Sequence, residues 1–154
     1  MNEMDAYNRS GYRDYRYYDD MDNRSINKDY EKTARELIET EPALEYIRDS
    51  SVNIIYLSSD NKKTKAGGIV HAQCEKIQDK YKWGIPCDFT ITVFEPNVEN
   101  FTDKQIRILL FHELLHVGIS IKDDGTESYS TVPHDLEDFK LIIDRFGTKW
   151  DKTE

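Results

Sequence analysis

The sequence predicts a single α+β domain whose chemistry sits on one central helix. Three observations lead there: a complete helix-start signature at Thr102 followed by a broad apolar stripe, a run from Asp88 to Phe94 that alternates with period two, and a closing segment with Phe139, Ile142, Ile143 and Phe146 at i, i+3, i+4 and i+7. Strand signals in the middle are flanked by helical signals at both ends. A chain of 154 residues suits one domain and one site.

The elements follow in order. Residues 1–27 are crowded with Tyr, Asp, Asn and Arg, hold five of the ten tyrosines and lack aliphatic periodicity, so they are expected to form a flexible tail. The ordered domain is expected over residues 28–154. Ala34, Leu37 and Ile38 form one helical stripe, Leu44 and Ile47 another, and Pro42 sets a break between them because proline suits only a helix's first turn.

Val52–Leu57 is rich in β-branched and aromatic residues and is followed by the turn-forming Ser58-Ser59-Asp60-Asn61. Gly67-Gly68 marks a bend into a second strand. In Asp88–Phe94, Phe89, Ile91 and Val93 share one face while Thr90 and Thr92 share the other, which predicts a half-buried strand with one wet face.

Thr102 can cap the next helix, with Gln105 as reciprocal partner and Phe101 stapled to Ile106. Ile106, Leu109, Leu110, Leu114 and Val117 make it central and buried. A polar loop from Ser120 to Thr131, turning at Asp123-Asp124-Gly125, precedes the last helix, which Gly147 ends.

Composition excludes several functions. A net charge of −9 argues against nonspecific nucleic-acid binding, which needs Lys and Arg on phosphates. The short basic cluster Lys62-Lys63-Lys65 reads as a solvated loop. No run approaches the roughly 18 apolar residues of a transmembrane helix, and Met1–Tyr18 lacks a signal-peptide core. A cytoplasmic protein is expected. Cys74 and Cys87 form no CxxC pair and read as reduced thiols.

The chemistry concentrates in His112-Glu113-Leu114-Leu115-His116. Histidines four apart project from one helical face and can share one tetrahedral ion, while Glu113 points partly around the helix, where it can act on activated water without being a ligand. Two histidines and a glutamate among Ile, Leu, Phe and Val are costly to bury unless something partners them, and Zn2+ is the economical partner. The metzincin continuation is absent, since Gly118 stands two residues after His116 and position 122 is Lys.

The third ligand must therefore come from later in the chain. His134, in Val132-Pro133-His134-Asp135, is the leading candidate; Glu127 and Glu137 are carboxylate alternatives, and Asp135 can cap a helix or support a ligand histidine. Tyr129 is the candidate donor to the developing oxyanion. His71 reads as structural. The Asp88–Phe94 strand is the candidate edge for pairing with an extended peptide substrate.

The segments Leu109–Val117, Val132–Phe139 and Phe146-Gly147-Thr148-Lys149-Trp150 resemble the phage metallopeptidase family, small zincin-like proteins of phages and prophages, and more distantly the SprT-type minimal metalloproteases. The likeness runs from about Ala34 to Trp150. It implies a minimal zincin-like domain with a small mixed sheet against the H-E-x-x-H helix, zinc at His112, His116 and His134, and Glu113 as catalytic carboxylate. It also implies a phage or prophage origin in a bacterial host. No cysteine-rich zinc module of the kind SprT-type DNA-repair proteins carry is present.

Three functions compete. The first is a zinc peptidase acting on a protein or peptide. The second is a non-catalytic, zinc-braced interaction protein, which has no use for a carboxylate beside its ligands. A cell-wall peptidase needs a cationic surface that this chain lacks.

Overall fold

The computed structural model describes residues 23–134 and 138–152. Residues 1–22 of the tail expected over 1–27 and the candidates Asp135 and Glu137 lie outside the described residues. Within the described part the α+β expectation holds: helices flank a mixed sheet that packs against the H-E-x-x-H helix.

Strand β1, Arg24–Ile26, leads into helix α1, Lys28–Thr40, capped by the Asn27 side chain. Residues 24–26 had been expected in the tail; all three are exposed, Ile26 included, so backbone pairing with strand β2, Ile54–Ser59, rather than burial recruits them. After α1 the chain breaks where proline demanded, giving a 3-10 turn at Pro42–Leu44 and the short helix α2, Glu45–Arg48.

A small hairpin follows, β3 at Thr64–Lys65 and β4 at Gly68–Ile69, turned by Gly67 in the left-handed region. Then come β5, Ala72–Lys76, and β6, Phe89–Phe94, the short helix α3 at Glu95–Val98, and the central helix α4, Asp103–Leu114. The chain closes with β7, Val117–Ile121, β8, Glu127–Thr131, and α5, Lys140–Phe146, which Gly147 ends at φ +82°.

The main sheet runs β1-β2-β6-β5, antiparallel except for the parallel β2–β6 pair. Its core face presents Phe89, Ile91 and Val93, packed against Ala34 and Leu37 of α1 and Ile108, Leu110, Phe111 and Leu114 of α4. The other face of β6 was expected to be wet. It is covered instead: Thr92 and Phe94 are buried, Arg24 donates to the Thr92 hydroxyl at 2.9 Å, and the cations of Arg24 and Lys63 lie over the Phe94 ring. The long side chains that cover it come from distant segments.

Two further expectations change. Val117 does not continue α4; it opens β7, and the stretch from Ser120 to Thr131, expected as a loop, holds the end of β7, a turn and β8, the two strands forming a hairpin. The charged and hydroxyl residues of these strands are exposed or half-buried, so the pair carries no strong apolar alternation. Gly118 pairs with Ser130 in this hairpin, and a Cβ there would sit 2.7 Å from the Ser130 carbonyl oxygen.

The helix start is as read. Thr102 and Gln105 exchange both capping-box hydrogen bonds. At the other end, the Tyr46 hydroxyl donates to the Val117 carbonyl of β7 at 2.7 Å and lies 3.3 Å from the Leu114 carbonyl, an acceptor that the helix leaves open.

Gly118→Ala is expected to destabilise the fold by about 1–3 kcal/mol, the usual range for forcing an extra methyl group into packed structure. Because the backbone of Ser130 is in the way, zinc binding should weaken with it. Urea unfolding and a zinc titration measure both, and unchanged values in the variant would contradict the tight Gly118–Ser130 approach.

Candidate metal centre and catalytic carboxylate

Three imidazoles meet at the C-terminal end of α4. His112 lies in its last turn, and His116 follows its C-cap, still one helical turn on because Leu115 keeps helical angles. His134 arrives from the segment beyond β8. Its Nε2 lies 2.9 Å from Nε2 of both His112 and His116. Among the described residues these three form the one cluster whose donor atoms could hold a metal ion.

The partners of the other ring nitrogens test whether an ion fits. Nδ1 of His116 is 2.6 Å from the Val132 carbonyl oxygen, which can only accept, so Nδ1 is assigned the proton and Nε2 the lone pair. Nδ1 of His112 is 2.5 Å from Oδ1 of Asp138, which assigns the same tautomer. Two lone pairs therefore converge on the point that Nε2 of His134 also reaches. Three imidazole nitrogens with an open side form the donor set of a catalytic zinc site, and the residues fit Zn2+.

Asp138 is anchored in turn. Oδ1 accepts from the Phe139 backbone N–H at 2.6 Å and Oδ2 from the Trp150 indole at 2.7 Å. Gln105, already bonded to Thr102, donates to the carbonyls of Trp150 and Lys152. The capping box thus ties the start of α4 to the C-terminal segment that holds the partner of His112. The Phe139 ring stands edge-on to all three histidines, with centroids 4.9 to 5.3 Å away.

Glu113 is 4% exposed, and its Oε2 lies 3.8 Å from Nε2 of His112. Burial pushes its pKa up to about 7; His112 and a hydrogen bond from the Cys74 backbone N–H pull it down, and Asp138 pushes it further up. For His112, burial acts downward, but the hydrogen bond to Asp138 and the charges of Glu113 and Asp138 outweigh it, so its pKa is raised. Burial leads the lowering of the His116 pKa, and the other two histidines add to it.

Two other sequence candidates lie elsewhere. Tyr129 is not brought to the histidines: its hydroxyl donates to Glu127 at 2.6 Å, its ring stands against Phe89, and burial together with Glu127 pushes its phenol up to about 12. Glu127 also accepts from Ser51, so this carboxylate is engaged away from the cluster. Asp138, Phe139 and Trp150 were missed as site residues. Phe139 looked like one more member of a helical stripe, and the carboxylate partner of a ligand histidine was sought at Asp135, three residues before Asp138.

The cluster opens into a cleft of about 510 Å³ lined by His71, Ala72, His112, Glu113, His134 and Trp150 among others. No described helix is long and apolar enough to cross a membrane.

Two outcomes follow from this geometry. Asp138→Ala should lower zinc affinity about 10- to 100-fold, the usual cost of losing a carboxylate behind a ligand histidine; competition with a chelating dye measures it, and wild-type affinity would rule out the supporting role. In chelator-stripped protein, Glu113 contributes stability as a neutral carboxyl, fully present below its ordinary value of 4.5 and lost as pH rises through about 7. Glu113→Gln keeps the acceptor for Cys74 without ionising, so its stability advantage over wild type should be about 2 kcal/mol greater at about pH 8 than at about pH 5. Urea midpoints at both pH values decide this, and an equal difference at each would refute it.

A family model described as "putative phage metallopeptidase" matches residues 22–154. No curated protein and no solved structure matches the chain.

Proposed function

The chain belongs to the phage metallopeptidase family, and from that premise we propose how its residues divide the work of a zinc-dependent peptidase acting on proteins or peptides. His112, His116 and His134 hold the ion, Glu113 is the general base, and Asp138 is a positioning residue that orients His112. The observation carrying this reading is the convergence of three Nε2 atoms beside a buried carboxylate.

When bound, zinc supplies Lewis acidity, which makes water a competent nucleophile near neutral pH and polarises the scissile carbonyl. Glu113 takes a proton from that water as the water oxygen bonds to the carbonyl carbon and the π pair moves onto the carbonyl oxygen. The C–N bond then breaks, and Glu113 returns the proton to the leaving amine nitrogen. Burial suits the carboxylate to both halves of this exchange, because it raises proton affinity without removing the group from the cleft.

Substrate pairing moves from the strand expected for it. Both edges of β6 are occupied, by β2 and β5. β5 is the outer strand on the cleft side. The bonds Phe94 N to His71 O and Ile77 N to Asp88 O set its phase, so the backbone groups of Ala72 and Cys74 point outward. Cys74 uses its N–H on Glu113, and Ala72 lines the cleft. We place peptide binding at that end of β5, and the activity in the cytoplasm of a bacterial host.

A purely structural zinc site gains nothing from a buried glutamate next to its ligands, which weighs against the zinc-braced interaction protein. Casein or a bacterial proteome serves as substrate for wild type, Glu113→Gln, His134→Ala and Glu127→Ala, with zinc counted in each. The expected result is one zinc per chain and a kcat loss of about 10²–10⁴-fold in Glu113→Gln, loss of zinc in His134→Ala, and little change in Glu127→Ala. Zinc-loaded wild type that cleaves neither substrate would favour the brace, and equal zinc loss in the last two variants would remove His134 from the ligand set.

A further inference from the structure

The peptidase reading leaves one requirement unmet. As the water oxygen adds, negative charge grows on the carbonyl oxygen, and a donor fixed nearby is worth more than any other single contact. Tyr129, the residue expected there, has its hydroxyl on Glu127. The Trp150 indole N–H, which belongs to a cleft residue, is held by Asp138.

We propose that His71 is a further catalytic residue, donating a hydrogen bond from its imidazole to the substrate carbonyl oxygen as that oxygen becomes an anion. The inference rests on the peptidase reading above.

His71 immediately precedes β5 and lines the cleft with His112, Glu113 and His134. Its carbonyl accepts from Phe94 N at 3.0 Å, which holds its backbone to the sheet. Its ring lies 5.1 Å from that of Phe101, the residue just before the Thr102 cap of α4. Sheet edge and helix start therefore hold this imidazole from two sides. Among the described residues no group hydrogen-bonds to the ring, while the charges of Asp151, Lys152 and His112, all cleft residues, act on it.

Burial lowers its pKa, so the ring is neutral at neutral pH and keeps one N–H to give. Thr148 and Lys152 also border the cleft, but from exposed positions. Among the described residues of the cleft, His71 alone combines a spare donor, partial burial and a two-sided anchor. Its neighbour Ala72 is the residue whose backbone faces the substrate, so a peptide paired there brings its carbonyls alongside the ring.

The test uses zinc-loaded full-length wild type, His71→Ala, His71→Gln and Glu113→Gln on casein or a peptide that wild type cleaves from the proteome. Zinc content and thermal unfolding are measured for each. Removing one oxyanion donor costs about 10²–10³-fold in kcat, so His71→Ala should lose that much with KM within about twofold and zinc unchanged. His71→Gln, which keeps an N–H donor, should recover about tenfold. A phosphinic peptide, whose tetrahedral anion stands in for the charged carbonyl oxygen, should bind His71→Ala more weakly by a similar factor.

If His71→Ala keeps kcat within about threefold while Glu113→Gln is inactive, the assignment falls and the peptidase reading stands. Loss of zinc or of the folded state in both His71 variants also overturns it, marking His71 as structural. Inactive zinc-loaded wild type removes both readings together.

Discussion

The centre depends on a reciprocal pair of contacts between His116 and Val132. The Val132 N–H donates to the His116 carbonyl at 2.7 Å, and the His116 Nδ1–H donates to the Val132 carbonyl at 2.6 Å. The first extends the β7–β8 ladder by one rung and brings the chain back to the end of α4. The second sets the tautomer of His116. A single piece of backbone thus delivers His134 to within reach of the helix and orients the ring it must join. A hairpin rigid enough to do this needs close strands, and Gly118 opposite Ser130 permits that approach.

The second constraint is a buried carboxylate. Glu113 is surrounded by the apolar body of α4 and the edge of β5, where a charge is expensive. Among the described residues no Lys or Arg cation neutralises it. The fold supplies one backbone N–H, from Cys74, and the neighbouring His112. The result is a carboxyl balanced near neutrality, which a structural ion pair would not produce. Metal site and carboxylate also share a brace, because Asp138 bonds to His112 and, through its charge, raises the Glu113 pKa.

The sheet explains why so small a domain can hold this site open. Its interior strand β6 is paired on both sides and buried on both faces, so the apolar core is closed around it. The cleft forms at the outer strand β5, where backbone groups remain available, and at the C-terminal segment, which Gln105 ties to the helix start. Sequence separation between these parts is large, and their meeting is a tertiary event.

Much of this was readable from residue types alone. The His112–His116 spacing puts two imidazoles on one helical face, because side chains four apart in an α-helix lie one above the other. The Thr102–Gln105 capping box is local for the same reason, and so are the stop at Gly147 and the break at Pro42. The approach of His134 to the two helix histidines was beyond local reasoning, and so was the partner of His112, which lies 26 positions away at Asp138. The hydroxyl of Tyr129 bonds to Glu127, and His71, read from the sequence as structural, lines the cleft; neither placement is local. Periodicity records which face of an element is apolar, but not which distant element covers it. The β7–β8 turn and the pairing of β5 to β6 decide that, because only backbone hydrogen bonds between strands set which side chains, far apart in the chain, come to share one cleft.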